Sequence, residues 1–160
     1  MRQARPFVAL ALWFWVAAVI QQAVAPQVKI AGAEPDLLLV VALVSAVFYP
    51  PRIAAVLGFV AGVLHGGIAG ADLAHYAVSG TLVAFAVGYL SGLELDVKPW
   101  YVGLTVLGGT LAAQLLMMIQ APPPETVPYV RATILSAMYN GVLAIPIYAL
   151  IRRSLSPKVN

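Results

Sequence analysis

The sequence contains no cysteine, and only 9% of its 160 residues are charged. Without cysteine there is no disulfide bond, no thiolate ligand for zinc and no thiol nucleophile. A soluble domain has about 25% charged residues, so a water-soluble domain is excluded as well. The basic residues form no continuous stripe, which argues against a nucleic-acid partner. These absences favour a protein whose main surroundings are the lipid bilayer.

Apolar residues are abundant instead, at 62% of the chain, and they fall into six stretches. A helix needs about 20 residues to cross the hydrocarbon core, and flanking residues complete the shorter runs. The sequence therefore predicts an all-α integral membrane protein with six transmembrane helices in a single domain, residues 1–160. The stretches are Phe7–Ile20, Leu37–Tyr49, Ile53–Gly70, Leu73–Gly92, Trp100–Ile119 and Val130–Ile151.

The gaps between the stretches differ in positive charge. One side of the predicted membrane receives only Lys29 and Arg131, and the other receives seven basic residues. Cytoplasmic loops carry the excess of lysine and arginine, so both termini are predicted to be cytoplasmic. Ala23-Val24-Ala25 is typical of a signal-peptide cleavage site, but we favour an uncleaved first helix. The seven basic residues are Arg2, Arg5, Arg52, Lys98, Arg152, Arg153 and Lys158.

The second stretch is short for a transmembrane helix. Asp36 precedes it, and Pro50-Pro51 ends it because neither ring continues a helix. A helix of about 20 Å leaves a mismatch with the bilayer that a neighbouring protein helix can cover. We therefore expect Asp36 and Leu38 to contact a partner protein, with Asp36 facing a basic group of that partner.

Glycines recur at four-residue spacing in the third and fourth stretches. This spacing keeps them on one helix face, where a second backbone can approach closely. We expect these two helices to pack tightly, although glycine is also common in membrane helices generally. The glycines concerned are Gly58, Gly62, Gly66, Gly70, Gly80, Gly88 and Gly92.

Polar side chains concentrate in the last two stretches, at Gln114, Ser136, Tyr139 and Asn140. Two interpretations stay open. The favoured one is a set of hydrogen bonds between helices, each worth about 0.6–2 kcal/mol. The other is a polar cavity for a small ligand or a lipid headgroup.

Residues capable of catalysis or metal binding are scarce. His65, Asp72 and His75 could bind a metal, but we expect Asp72 to cap the fourth helix and His65 to bond a neighbouring helix. No lysine lies within a predicted helix, and the chain has no recognised catalytic motif. The sequence thus predicts no catalytic residue, no metal site and no cofactor, and therefore a protein that is not an enzyme.

Several motifs together resemble the MreD family of rod shape-determining proteins. They are Glu34-Pro35-Asp36-Leu37-Leu38-Leu39, Tyr49-Pro50-Pro51-Arg52, the segment 55–65 around Gly58-x-x-x-Gly62, and Gly88-Tyr89-Leu90-Ser91-Gly92. The resemblance implies a non-enzymatic subunit of the cell-elongation machinery in the bacterial cytoplasmic membrane. It also implies binding to MreC and, directly or indirectly, to the glycosyltransferase RodA and its partner transpeptidase, with MreB reached through MreC.

The same resemblance leaves a second function open. In fold, the family is similar to the substrate-binding subunits of energy-coupling-factor transporters, so the alternative is a subunit that binds a vitamin-type small molecule. A binding subunit of that kind needs a closing loop with pocket-forming side chains. The loop Gln120–Tyr129 is rich in proline and poor in hydrogen-bond donors, which favours the cell-shape function.

Overall fold

The computed structural model describes residues 5–30, 32–92 and 97–155. Within these ranges the chain forms six α-helices and no β-strand, which confirms the predicted all-α fold. Five of the six helices are long and apolar enough to cross a membrane, and the second is shorter. Arg2 and Lys158, which belong to the predicted charge asymmetry, lie outside the described residues. The helices are α1 (Arg5–Ala23), α2 (Leu37–Ala46), α3 (Pro51–Ala69), α4 (Leu73–Ser91), α5 (Pro99–Gln120) and α6 (Thr126–Leu155).

The short helix α2 forms the centre of the bundle. It contacts each of the other five helices, and nine of its ten residues are buried. Leu38 and Leu43 are 0% exposed. A helix of ten residues is only about 15 Å long, so the helix alone is too short to span the bilayer, and it is stable where protein surrounds it.

This position corrects the expectation that α2 offers a face to a partner. Leu38 has no exposed surface, so no second protein can contact it in this fold. The mismatch seen in the sequence is real, but the helices of the same chain cover it.

Helices α3 and α4 make the closest helix pair of the bundle. A Cβ atom added to Gly58 would lie 2.6 Å from the Ala84 Cβ, and one added to Gly62 would lie 2.7 Å from the Ala77 Cα. One added to Gly80 would lie 2.5 Å from the backbone oxygen of Gly58. Real Cβ atoms do not approach other atoms so closely, so the two backbones touch only because these side chains are absent.

The remaining glycines of the two stretches divide into two groups. Gly66 and Gly88 also lie in the α3–α4 contact, where an added Cβ would be 3.0 Å and 2.7 Å from its nearest neighbour. Gly70 instead ends α3 with a φ of 61°, and nothing lies within 4 Å of an added Cβ. Gly92 approaches only the last turn of its own helix. The packing interpretation of Gly70 and Gly92 is therefore wrong, since both lie where a helix ends.

A second close contact joins α5 and α6. A Cβ added to Gly103 would lie 3.1 Å from the Gly141 backbone oxygen, and one added to Gly141 would lie 3.0 Å from the Gly103 oxygen. Each helix contributes one glycine to this contact, so no repeat in the sequence marks it.

Candidate functional site

Asp36 lies at the start of α2 and is the best-buried acidic residue that the structure describes, with 8% of its surface exposed. Its Oδ1 accepts a hydrogen bond from the backbone N–H of Leu39 (3.0 Å), which caps the helix. Its Oδ2 lies 2.9 Å from Nδ1 of His65 on α3. Ionisable groups inside a membrane are costly unless they are paired, and these contacts pair Asp36 within its own chain. The expected contact of Asp36 with a basic group of a partner is therefore replaced by an internal one.

The extended segment before α2 is held by side chains from α1 and α6. Gln21 donates from Nε2 to the carbonyl of Pro35 (3.0 Å) and accepts at Oε1 from the N–H of Leu37 (2.7 Å). Ser136 donates from its hydroxyl to the carbonyl of Glu34 (2.9 Å). Backbone groups in an apolar environment need such partners. Gln21 and Ser136 therefore act as structural braces for residues 34–37.

Asn140, which is fully buried, fixes the same segment from α6. Its Oδ1 accepts the N–H of Asp36 (2.9 Å), and its Nδ2 donates to the hydroxyl of Thr110 on α5 (3.3 Å). Near the start of α6, the hydroxyl of Tyr129 lies 2.8 Å from Oε1 of Gln114 and 2.9 Å from its carbonyl oxygen. Gln114, Ser136 and Asn140 thus all take part in contacts between elements.

A polar cavity of about 380 Å³ lies next to these braces, at the end of the bundle where α2 begins. We call it the Asp36 cavity. Gln22, Pro26 and Gly32 form its exposed mouth, and buried Asp36 lies deeper. Of the four polar residues singled out in the sequence, Gln114 and Ser136 line this cavity; Tyr139 and Asn140 are absent from its lining. Gln114 and Ser136 thus both hold elements together and border a cavity, while a ligand or lipid headgroup in that cavity stays a prediction.

A smaller cavity of about 20 Å³ adjoins the first, and His65 is among its lining residues. Both cavities are bordered by Asp36, His65, Tyr76 and Gln114. The rings of His65 and Tyr76 stack with their centroids 4.7 Å apart. A space of this size holds one water molecule, so His65 lies between a water-sized space and the larger cavity.

The possible metal ligands are not brought together. Asp72 caps α4 by accepting the N–H of Ala74 at Oδ1 (2.9 Å). His75 lies 3.8 Å from Asp72, whereas His65 pairs with Asp36. In the part of the chain that the structure describes, no group of three histidine or acidic residues could hold a metal ion.

The outer faces of α4 and α5 form a long apolar groove of about 820 Å³. Leu82 and Leu90 border it on α4, and Leu104 and Ile119 border it on α5. Gly108 lies within it, with nothing within 4 Å of an added Cβ. A groove of this composition is typical of a face that lipid chains cover.

The model of the family described as rod shape-determining protein MreD matches residues 1–154. No curated protein and no solved structure matches the chain significantly. The similarity of fold to the substrate-binding subunits of energy-coupling-factor transporters therefore stays a prediction.

Proposed function

The chain belongs to the MreD family of rod shape-determining proteins, and on this premise we propose that it is a non-enzymatic subunit of the bacterial cell-elongation complex. The match over residues 1–154 is the observation that carries the proposal. Membership of the family supports a role in the determination of rod shape. The five long apolar helices support a multi-pass membrane protein. We propose that the chain binds MreC in the cytoplasmic membrane, with both termini in the cytoplasm. Through MreC it would reach MreB, RodA and its partner transpeptidase.

The buried polar side chains take part in structural hydrogen bonds, which supports a binding function over a catalytic one. Gln21 and Asn140 are engaged in bonds that hold the start of α2. Asp36 and His65 form a buried pair that resembles an acid–base arrangement. A catalytic base of this kind needs a nucleophile within hydrogen-bond reach. Ser136 lines the same cavity, but its hydroxyl donates to the carbonyl of Glu34 instead.

Partner contacts belong on the outer faces of the bundle. The central helix α2 is covered by its own chain, so a partner has access only to α1 and α3–α6 or to the loops. Helix association in membranes depends on close packing and on short polar contacts. Several of these helices present large exposed apolar side chains, including Trp15, Phe59 and Phe85.

Replacement of the native MreD in a rod-shaped bacterium tests this function. Cells depleted of MreD and supplied with this chain should keep their rod shape, and MreC should co-purify with the tagged chain in mild detergent. Gly62→Leu serves as a variant with a disrupted bundle, and Gly108→Leu places the same side chain on an open surface. Round cells with a stable, membrane-inserted wild-type chain, together with no retained MreC, would contradict the proposal.

The Asp36 cavity favours the alternative, a subunit that binds a vitamin-type molecule. Its volume of about 380 Å³ falls in the range of small-molecule sites, which is about 300–1,000 Å³. The two functions differ in the phenotype of deletion. Loss of vitamin uptake with unchanged cell shape would support the alternative, whereas rounded cells with normal uptake support the cell-shape function.

A further inference from the structure

We propose that the Asp36 cavity binds an organic ammonium group, carried either by a small primary amine or by the headgroup of an ethanolamine phospholipid. This inference goes beyond the proposed function and does not depend on which proteins the chain binds. It rests on the charge, the aromatic side chains and the hydrogen-bond acceptors of the cavity.

The charge of the lining is negative. Two carboxylates, those of Glu34 and Asp36, border the cavity, and no lysine or arginine is among its lining residues in the described ranges. Asp36 is paired with His65, so its charge is balanced whenever the imidazole is protonated. Glu34 is then the carboxylate of the lining that remains for a cation, and its present partner is Lys29, which lies outside the lining (3.1 Å).

Glu34 is available to such a ligand. It forms an ion pair with Lys29 (3.1 Å), but the two side chains are 42% and 47% exposed. Exposed pairs of this kind contribute little, about 0–1 kcal/mol. A ligand ammonium inside the cavity can therefore share or replace the Lys29 contact. Lys29, displaced toward the mouth, would then face the phosphate of a phospholipid headgroup.

Two tyrosines and several hydrogen-bond acceptors complete the site. Tyr76 and Tyr129 both line the cavity, and aromatic rings attract ammonium groups through their negative faces. An ammonium group has three donors and no acceptor. Gln22 and the half-exposed carboxylate of Glu34, together with the buried carboxylate of Asp36, supply acceptors for these donors. The lining thus matches a cation better than a carboxylate or a phosphate.

The first experiment uses ethanolamine as the probe and the purified full chain in phosphatidylglycerol nanodiscs. Isothermal titration should show ethanolamine binding, and ethylene glycol, the neutral analogue of the same shape, should not bind. Glu34→Gln should weaken the affinity about tenfold, the lower end of what a hydrogen bond to a charged group contributes. Glu125→Gln is the matched control. Glu125 is an exposed carboxylate just before α6 that does not line the cavity, so the same loss of charge there should leave the affinity unchanged.

The second experiment identifies the source of the ammonium group. The chain is reconstituted in equal mixtures of phosphatidylethanolamine and phosphatidylglycerol, and native mass spectrometry measures which lipid it retains. Retention of phosphatidylethanolamine by the wild type and Glu125→Gln, but not by Glu34→Gln, assigns the site to the lipid. Ethanolamine binding without lipid retention assigns it to a free amine. Absence of both, or equal losses in the two variants, overturns the proposal, whatever the result of the cell-shape test.

Discussion

Replacement of Gly62 by alanine should loosen the α3–α4 pair, although it adds only one carbon atom. The new Cβ would lie 2.7 Å from the Ala77 Cα and would overlap the backbone carbonyl of Tyr76. Carbon atoms in good contact are about 3.5–4.0 Å apart. The neighbours are backbone atoms of α4, which cannot rotate away as a side chain does. The two helices must therefore separate by about 1 Å.

The size of the effect follows from two opposing terms. Insertion of a carbon atom into a well-packed contact costs about 1–3 kcal/mol. Alanine gains about 1 kcal/mol over glycine in helix propensity, which partly masks this cost. Gly108→Ala has the same propensity gain and no clash, because nothing lies within 4 Å of its added Cβ. The difference between the two variants isolates the packing cost, about 1–3 kcal/mol.

Thermal unfolding in mild detergent measures this difference. In soluble proteins of 150–250 residues, 1 kcal/mol shifts Tm by roughly 2–4 °C, so Gly62→Ala should unfold several degrees below Gly108→Ala. Gly58→Ala should behave like Gly62→Ala, since its Cβ would lie 2.6 Å from the Ala84 Cβ. Equal Tm values for the Gly62 and Gly108 variants would refute the idea that the α3 and α4 backbones touch.

Three further predictions concern the braces and the topology. Gln21→Ala should lower the free energy of unfolding by about 1–3 kcal/mol because it leaves two backbone groups unpaired. Gln22→Ala, at an exposed neighbouring position, should stay within about 0.5 kcal/mol of the wild type; equal effects in thermal unfolding would contradict the brace. Asn140→Ala should cost a similar 1–3 kcal/mol, and wild-type stability there would show that other groups satisfy its partners. In this cysteine-free chain, Glu125→Cys should react with an impermeant maleimide added to intact cells and Arg52→Cys should not; the reverse pattern would invert the topology.

The sequence predicts those parts of the fold that depend on local spacing. Gly58, Gly62 and Gly80 could be assigned to a close contact because a four-residue repeat marks a helix face without side chains. The maximum length of α2 could also be predicted, because Asp36 precedes the helix and Pro50-Pro51 follow it. The helix nonetheless ends at Ala46, earlier than predicted.

What covers a short helix cannot be predicted in the same way. A hydrophobic mismatch shows that α2 must be shielded. Deformation of the lipid, a partner protein or other helices of the same chain could each shield it, and the sequence does not distinguish them. The pairing of Asp36 with His65 depends on how α3 packs on α2. The two residues are 29 positions apart in the sequence, and no helical repeat relates them. Gln21 directly follows the apolar stretch Phe7–Ile20. A glutamine directly after an apolar stretch is a weak sign of a buried hydrogen bond.

The short length of α2 explains why polar chemistry lies inside an apolar bundle. Ten residues cover about 15 Å, half of a hydrocarbon core of about 30 Å. The chain before Leu37 therefore enters the bundle as non-helical backbone, which membranes tolerate only where protein or a cavity surrounds it. Gln21, Ser136 and Asn140 satisfy that backbone, and the volume that they leave unfilled is the Asp36 cavity. Extension of α2 beyond Asp36, over the preceding non-helical residues, would occupy this space and remove the need for the braces, so the cavity and the braces should be gained or lost together.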